Sequence, residues 1–225
     1  MKRAVFIGTG NMGGALARAA VQALGGEQVA VASRTFERAE SLARELACQV
    51  CTTNREAAQM GEYIFLCVKP AQMRKVVEEL APELTGDQTL VSIAAGVTLH
   101  DLQSWTGGRI PILRIMPNTP CMIGMGMTAL TGGKDVREKH FADVEAILAC
   151  SGRVERVEEA QIDAFSAVAG CGPAFIYPYI EALADGGVAA GLPRGKALIY
   201  AAQMTLGAAA MVLETGEHPD VYKRQ

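Results

Sequence analysis

Apolar residues recur along the first two thirds of the chain in short runs separated by amphipathic stretches. Runs at residues 4–7, 28–32, 63–68, 89–93, 112–115 and 127–130 are rich in Val, Ile, Leu and Phe, and they predict strands. Helical spacing predicts helices at 13–24, 36–46, 55–60, 71–84, 99–105 and 135–150. Such alternation implies a parallel sheet with helices on both faces. From residue 160 strand signals stop, and Ala-, Gly- and Met-rich helical stretches take over. The chain therefore reads as a doubly wound α/β domain over 1–155 and an all-helical domain over 156–225. Within "AGLPRG", residues 190–195, Gly191 is suited to stop one helix and Pro193 to begin the next.

Segments 164–180 and 197–213 carry no charge and lie at the lower length limit for a membrane span. The first contains Pro173 and Pro178, the second Gln203 and Thr205, and Ala and Gly dominate both. A helix apolar all round can equally be buried in protein. The composition favours buried helices at a subunit interface, so the chain is expected to form at least a homodimer and not to enter a membrane.

The 225 residues, 50% hydrophobic and 20% charged, describe a globular chain with room for one large or two modest cores. A net charge of -3 without a dense Lys/Arg cluster argues against a nucleic-acid surface. The apolar run after Met1-Lys2-Arg3 breaks at glycine after Ile7, too soon for a signal peptide. Cys48, Cys51, Cys67, Cys121, Cys150 and Cys171 are therefore expected as reduced thiols in a cytoplasmic protein. Cys48 and Cys51 form a CxxC, but no second ligand pair accompanies it. They read as two thiols flanking a strand start, and no metal site is expected.

Candidate chemistry begins at "VFIGTGNMGGAL", residues 5–16. A G-x-G-x-x-G between a strand and a helix reads as a dinucleotide cradle. Gly8 serves the turn, Gly10 the approach of a pyrophosphate, and Gly13 close helix packing. The helix N-terminus would face the phosphates. A glycine-rich turn without a ligand is the competing reading, which the surrounding pattern disfavours. The second predicted strand ends in Ser33-Arg34-Thr35 rather than a carboxylate. Arg34 can pair with a 2'-phosphate, so NADPH is favoured over NADH; a solvated surface arginine is the alternative. "FLCVKP", residues 65–70, and "SIAAGV", residues 92–97, close two further strands and should border the cofactor. His100, His140 and His218 sit in helical or terminal segments and read as surface residues, and no catalytic side chain stands out.

"RIMPNTP", residues 114–120, and "AVAGCGPAFIYPYIEALADGGVAAGLPR", residues 167–194, are more specific. With "VKP" and "SIAAGV" they resemble the pyrroline-5-carboxylate reductase family, over residues 1 to about 219. The resemblance implies a Rossmann domain, a helical domain through which subunits pair, and NAD(P)H-dependent reduction of 1-pyrroline-5-carboxylate to L-proline. It assigns Ile7, Gly8, Thr9, Gly10, Asn11 and Met12 to the pyrophosphate loop, Ser33 and Arg34 to the 2'-phosphate, and Asn54 to the adenosine half. Cys67, Val68, Lys69 and Pro70, with Ala94, Ala95 and Gly96, complete the cofactor loops. Met116, Pro117, Asn118 and Thr119, with Gly172, would face the substrate.

Two departures stand out. Cys171 replaces the serine of the family's Gly-Ser-Gly-Pro motif and reads as packing. Beyond Pro219 the family continues into a Ser-Pro-Gly-Gly-Thr-Thr-type loop for the substrate carboxylate, whereas this sequence reads "DVYKRQ". The helical domain is accordingly expected to be incomplete at its C-terminus. That leaves a dinucleotide-binding protein without turnover as an alternative. A beta-hydroxyacid-type dehydrogenase is another, disfavoured because Lys196 lacks that family's motif.

Overall fold

Among the residues described, 1–108 and 110–224 of a computed structural model, eight strands form one sheet. They are β1 (Lys2–Ile7), β2 (Val29–Ala32), β3 (Gln49–Cys51), β4 (Gly61–Leu66), β5 (Thr89–Ser92), β6 (Ile112–Met116), β7 (Gly126–Gly132) and β8 (Gly152–Arg156). Their order is β3-β2-β1-β4-β5-β6-β7-β8. The first six strands run parallel. β7 then turns back beside β6, with Leu113 opposite Gly132 and Met116 opposite Ala129, and β8 runs parallel to β7. The expected parallel sheet thus gains a reversed edge. The link between β6 and β7, a 3-10 stretch at Thr119–Ile123, is too short for a crossover, and only an antiparallel return fits it.

β3 and β8 have no apolar run in the sequence. β3 is three residues long, beginning just after Cys48 and ending on Cys51, and β8 reads Gly-Arg-Val-Glu-Arg. Both are edge strands, where one side needs no apolar partner.

Alternation along β1 sends Phe6 to one face and Val5 and Ile7 to the other. On the first face Phe6 stacks on Phe65, ring centres 4.6 Å apart, beneath α1 (Asn11–Leu24), α2 (Phe36–Leu46) and, towards β6, α6 (Glu138–Ile147). The second face is covered by α3 (Asn54–Met60), α4 (Pro70–Leu80) and α5 (Leu99–Thr106) through Ala57, Met73, Val77 and Leu102. α5 starts with a capping box, the Thr98 hydroxyl accepting from Asp101 N–H and the Asp101 carboxylate from Thr98 N–H.

Two compact units emerge, Met1–Gly170 and Cys171–Gln225. The division expected at 155/156 falls at the end of β8. The first unit continues through α7 (Ile162–Phe165) and a π turn at Ser166–Gly170. The apolar segment 164–180 is therefore not one helix. It is broken by that turn, and α8 begins at Gly172 and runs to Ala189 with Pro173 in its first turn.

In the second unit α8 packs on α9 (Arg194–Thr215) through Ile180, Ala184, Ala197 and Ala201; α10 (Asp220–Lys223) follows. Gly191, at φ +98°, closes α8, and Leu192 N–H donates to the Gly187 carbonyl at 2.9 Å. Pro193 caps α9 as anticipated. Within one chain these helices are not covered all round: Leu198, Ile199, Tyr200, Met204 and Leu213 are exposed. Two antiparallel helices can cover each other along a single stripe, and α8 and α9 use their alanines for it.

Candidate functional site

β1 lies between β2 and β4, so successive connections leave it in opposite directions across the sheet, opening a crevice at the strands' carboxyl ends. The glycine loop sits there. Gly8 N–H donates to the Ala32 carbonyl and Cys67 N–H to the Ile7 carbonyl, each at 2.8 Å, pinning the loop between the ends of β2 and β4.

The three glycines do different work. A Cβ on Gly8, at φ +104°, would stand 2.5 Å from the Cys67 carbonyl oxygen. One on Gly13 would stand 2.0 Å from the Gly8 oxygen and 2.7 Å from Cys67 Cβ. A Cβ on Gly10 would meet nothing within 4 Å. Gly8 and Gly13 thus let the loop and α1 pack on β4, whereas Gly10 faces open space. α1 begins at Asn11, so the N–H groups of Asn11, Met12 and Gly13 have no helical acceptor. The Thr9 hydroxyl is buried without a partner. Open space over a glycine, free N–H groups and an orphaned hydroxyl fit a pyrophosphate. Met12 offers only its backbone, because its sulfur packs 3.4 Å from Cys121 Sγ.

A cleft of about 390 Å³ opens beside the loop, lined by Ile7, Gly8, Ser33, Arg34, Asn54 and Val68 among others. Six of the expected cofactor residues therefore meet in one place. Thr9, Gly10 and Asn11 border a second hollow of about 480 Å³ that runs over α1 and α2 towards Arg18 and Arg38. The 390 Å³ cleft joins the second strand's end to Asn54, as an adenosine half requires, and it is the better match to a dinucleotide. Val76 and five polar residues that the sequence did not single out, Thr52, Thr53, Gln72, Lys75 and Glu79, complete its walls. Spacing could have found the last three: they fall at i, i+3 and i+7 on α4, off its apolar stripe.

Asn54 starts α3 behind the Thr53 cap, whose hydroxyl accepts from Glu56 N–H at 3.1 Å. Its side-chain amide donates to Glu79 at 3.3 Å. The Glu56 carboxylate accepts from the backbone N–H of Thr52 at 2.7 Å and from its hydroxyl at 2.8 Å, and these bonds hold its pKa below the usual range. Lys69 and Pro70 open α4, with Lys69 exposed. Burial pushes the Cys67 thiol pKa far up, so it is a packing group, not a nucleophile.

Ala94 is buried, while Ala95 and Gly96 are exposed at the end of β5, and a Cβ on Gly96 would meet nothing within 4 Å. Met116, Pro117 and Asn118 are buried and Thr119 is exposed. The Asn118 amide bridges backbone, donating to the Ala169 carbonyl at 2.9 Å and accepting from Met127 N–H at 2.9 Å. It shapes the loop after β6. Gly172 belongs to the second unit, as the first residue of α8.

Residues 3–96 match the family described as NADP oxidoreductase, coenzyme F420-dependent, and residues 159–225 match pyrroline-5-carboxylate reductase dimerisation. Pyrroline-5-carboxylate reductase of Escherichia coli is 40% identical over 99% of this chain and 83% of its own length. The chain belongs to the pyrroline-5-carboxylate reductase family. The Arabidopsis thaliana reductase is 38% identical over 97% of this chain and 79% of its own. Among solved structures, the Coxiella burnetii reductase superposes with a TM-score of 0.91 at 30% identity, covering 99% of this chain and 84% of that one. The Plasmodium falciparum reductase, solved with NADP bound, gives 0.89 at 28% identity over 99% and 83%. With the family comes its reaction, and these likenesses favour the reductase over a beta-hydroxyacid-type dehydrogenase or a binding module without turnover.

Proposed function

We propose that this chain reduces 1-pyrroline-5-carboxylate to L-proline with NADPH held across the ends of β1, β2, β3 and β4. The observation that carries the reading is the cradle itself, with open space over Gly10 and Arg34 at the end of a second strand that carries no carboxylate. When bound, the nicotinamide supplies a hydride to the imine carbon.

The residues of this chain then have three tasks. The α1 N-terminus, the Thr9 hydroxyl and the backbone of Gly10 hold the pyrophosphate, and Ser33 and Arg34 hold the 2'-phosphate. Ala94, Ala95 and Gly96 give the nicotinamide a wall without side-chain bulk. The loop at Met116, Pro117, Asn118 and Thr119, shaped by the Asn118 amide, borders the substrate. No residue is needed as a strong acid. A protonated cyclic imine is already electrophilic, and positioning with exclusion of water supplies most of the rate. The carboxylate of the substrate is met by backbone N–H groups.

Residues 156–225 serve as the pairing domain of a homodimer or higher homo-oligomer. The match of residues 159–225 to the family's dimerisation domain supports this, as do the exposed apolar side chains of α8 and α9. α9 is long and apolar enough to cross a membrane, and little of it is buried. A second copy, rather than lipid, covers it. Six free cysteines suit a cytoplasmic site of action.

The test is direct. Fluorescence titration should show saturable NADPH binding, and absorbance should fall on adding 1-pyrroline-5-carboxylate. Absence of NADPH binding would overturn the proposal.

A further inference from the structure

We propose that Lys75, on α4, is a second specificity-determining cation for the 2'-phosphate, sharing the adenosine cleft with Arg34. The inference rests on the NADPH reading of that cleft and deepens it.

Among the described residues Arg34 and Lys75 are the cleft's only Arg or Lys, and they come from different elements, the end of β2 and the second turn of α4. Among the described residues neither forms an ion pair. The contrast on α4 is informative. Arg74, one position earlier, pairs with Glu78 at i+4 with 2.8 Å between charges. Lys75 has Glu79 at the same spacing, yet Glu79 is turned to the Asn54 amide at 3.3 Å. That bond engages the Glu79 carboxylate, and Lys75, which lines the same cleft, has no ion-pair partner among the described residues.

A cleft that accepted only a ribose hydroxyl would gain nothing from two unpaired cations. A 2'-phosphate carries close to two negative charges and several acceptor oxygens, and it can take both at once. Arg34 supplies a planar fork, and Lys75 a point charge on a flexible stem. Because Lys75 is exposed, its share is modest.

The experiment measures dissociation constants of NADPH, NADH and 2',5'-ADP by calorimetry on the whole chain, with Lys75→Met and Lys75→Arg as variants. Lys75→Met should weaken NADPH and 2',5'-ADP by roughly three- to tenfold and leave NADH within about twofold. Lys75→Arg should restore most of the loss, and raising the salt should shrink the gap between Lys75→Met and the parent. A thermal midpoint equal to the parent's would show that the fold is untouched. Equal weakening of NADPH and NADH, or no change in either, would overturn the role of Lys75 while leaving the NADPH reading standing. Failure of the parent chain to prefer NADPH over NADH would overturn that reading as well.

Discussion

Gly8 and Cys67 are in contact so close that no side chain fits between them: a Cβ on Gly8 would lie 2.5 Å from the Cys67 carbonyl oxygen. Gly8→Ala should therefore destabilise the fold by about 3 kcal/mol or more, combining strain at positive φ with overpacking against backbone. Gly10→Val should do the opposite, keeping the thermal midpoint and abolishing NADPH binding. Melting curves and nucleotide titrations on both variants separate the two roles. Equal melting with equal loss of binding would show that the glycines share one task.

Arg34→Asp should weaken NADPH by about 2 kcal/mol through lost pairing and new repulsion, and leave NADH unharmed. The ratio of the two dissociation constants is the quantity to follow. An unchanged ratio would leave Arg34 a surface residue.

Asn118→Ala removes the side-chain amide that bridges two backbone groups. The Met127 N–H and the Ala169 carbonyl would be left unpaired, at a cost of about 2 kcal/mol in stability. The loop beside the substrate should loosen, raising KM for 1-pyrroline-5-carboxylate more than the dissociation constant of NADPH. Denaturant melts with steady-state kinetics decide it, and an unshifted melt would remove the bridge from the account.

Glu56 gives a pH-dependent contribution. Its folded pKa is depressed by the bonds from Thr52, so its stabilisation is present above the unfolded value and fades as pH falls through the folded one. Because the carboxylate stays largely open to solvent, Glu56→Gln should cost only about 0.5 kcal/mol at neutral pH and less in acid, as pH falls through the folded pKa. Urea midpoints at the two pH values test the sign. A gap that widened in acid would reverse it.

Ile199 is 65% exposed on α9. Ile199→Asp should shift sedimentation from dimer or higher species towards monomer, because a charge would enter the apolar face. A parent chain that sediments as a monomer at micromolar concentration would remove the ground for pairing through these helices.

Much of this was legible in the sequence because β1, β4 and the glycine loop are locally consistent. Apolar runs, turn glycines and a following helix all ask for one arrangement. Only the strand start beside Cys48 and Cys51 hints at β3, and nothing in the sequence marks β8, because edge strands need little apolar pattern. The reversed β7 was missed because direction depends on the length of the link before it, not on the strand's own residues. At the site, Arg34 and Gly10 could be found from position in a motif. Lys75 and Glu79 are marked in the sequence only as part of a polar row on α4, and that this row meets the cleft emerges once the sheet has ordered its strands. Asn118 was assigned to the substrate, and its hold on Met127 and Ala169 appears only in three dimensions.

The position of β1 has a consequence for how the chain is made. Of the eight described strands β1 is made first, and it is also a central one. Its partner β2 follows within a few tens of residues, but β4 and the Phe65 ring that stacks on Phe6 come only after α2, β3 and α3. Until then Val5, Phe6 and Ile7 present an apolar strand with one open edge, the kind of surface that pairs with the wrong neighbour. Synthesis through β4 closes that edge and the nucleotide crevice together, because Cys67 N–H bonds to the Ile7 carbonyl in the same step. A nascent chain cut before residue 66 should therefore be captured by hydrophobic-binding chaperones, and one long enough to fold β4 should be released.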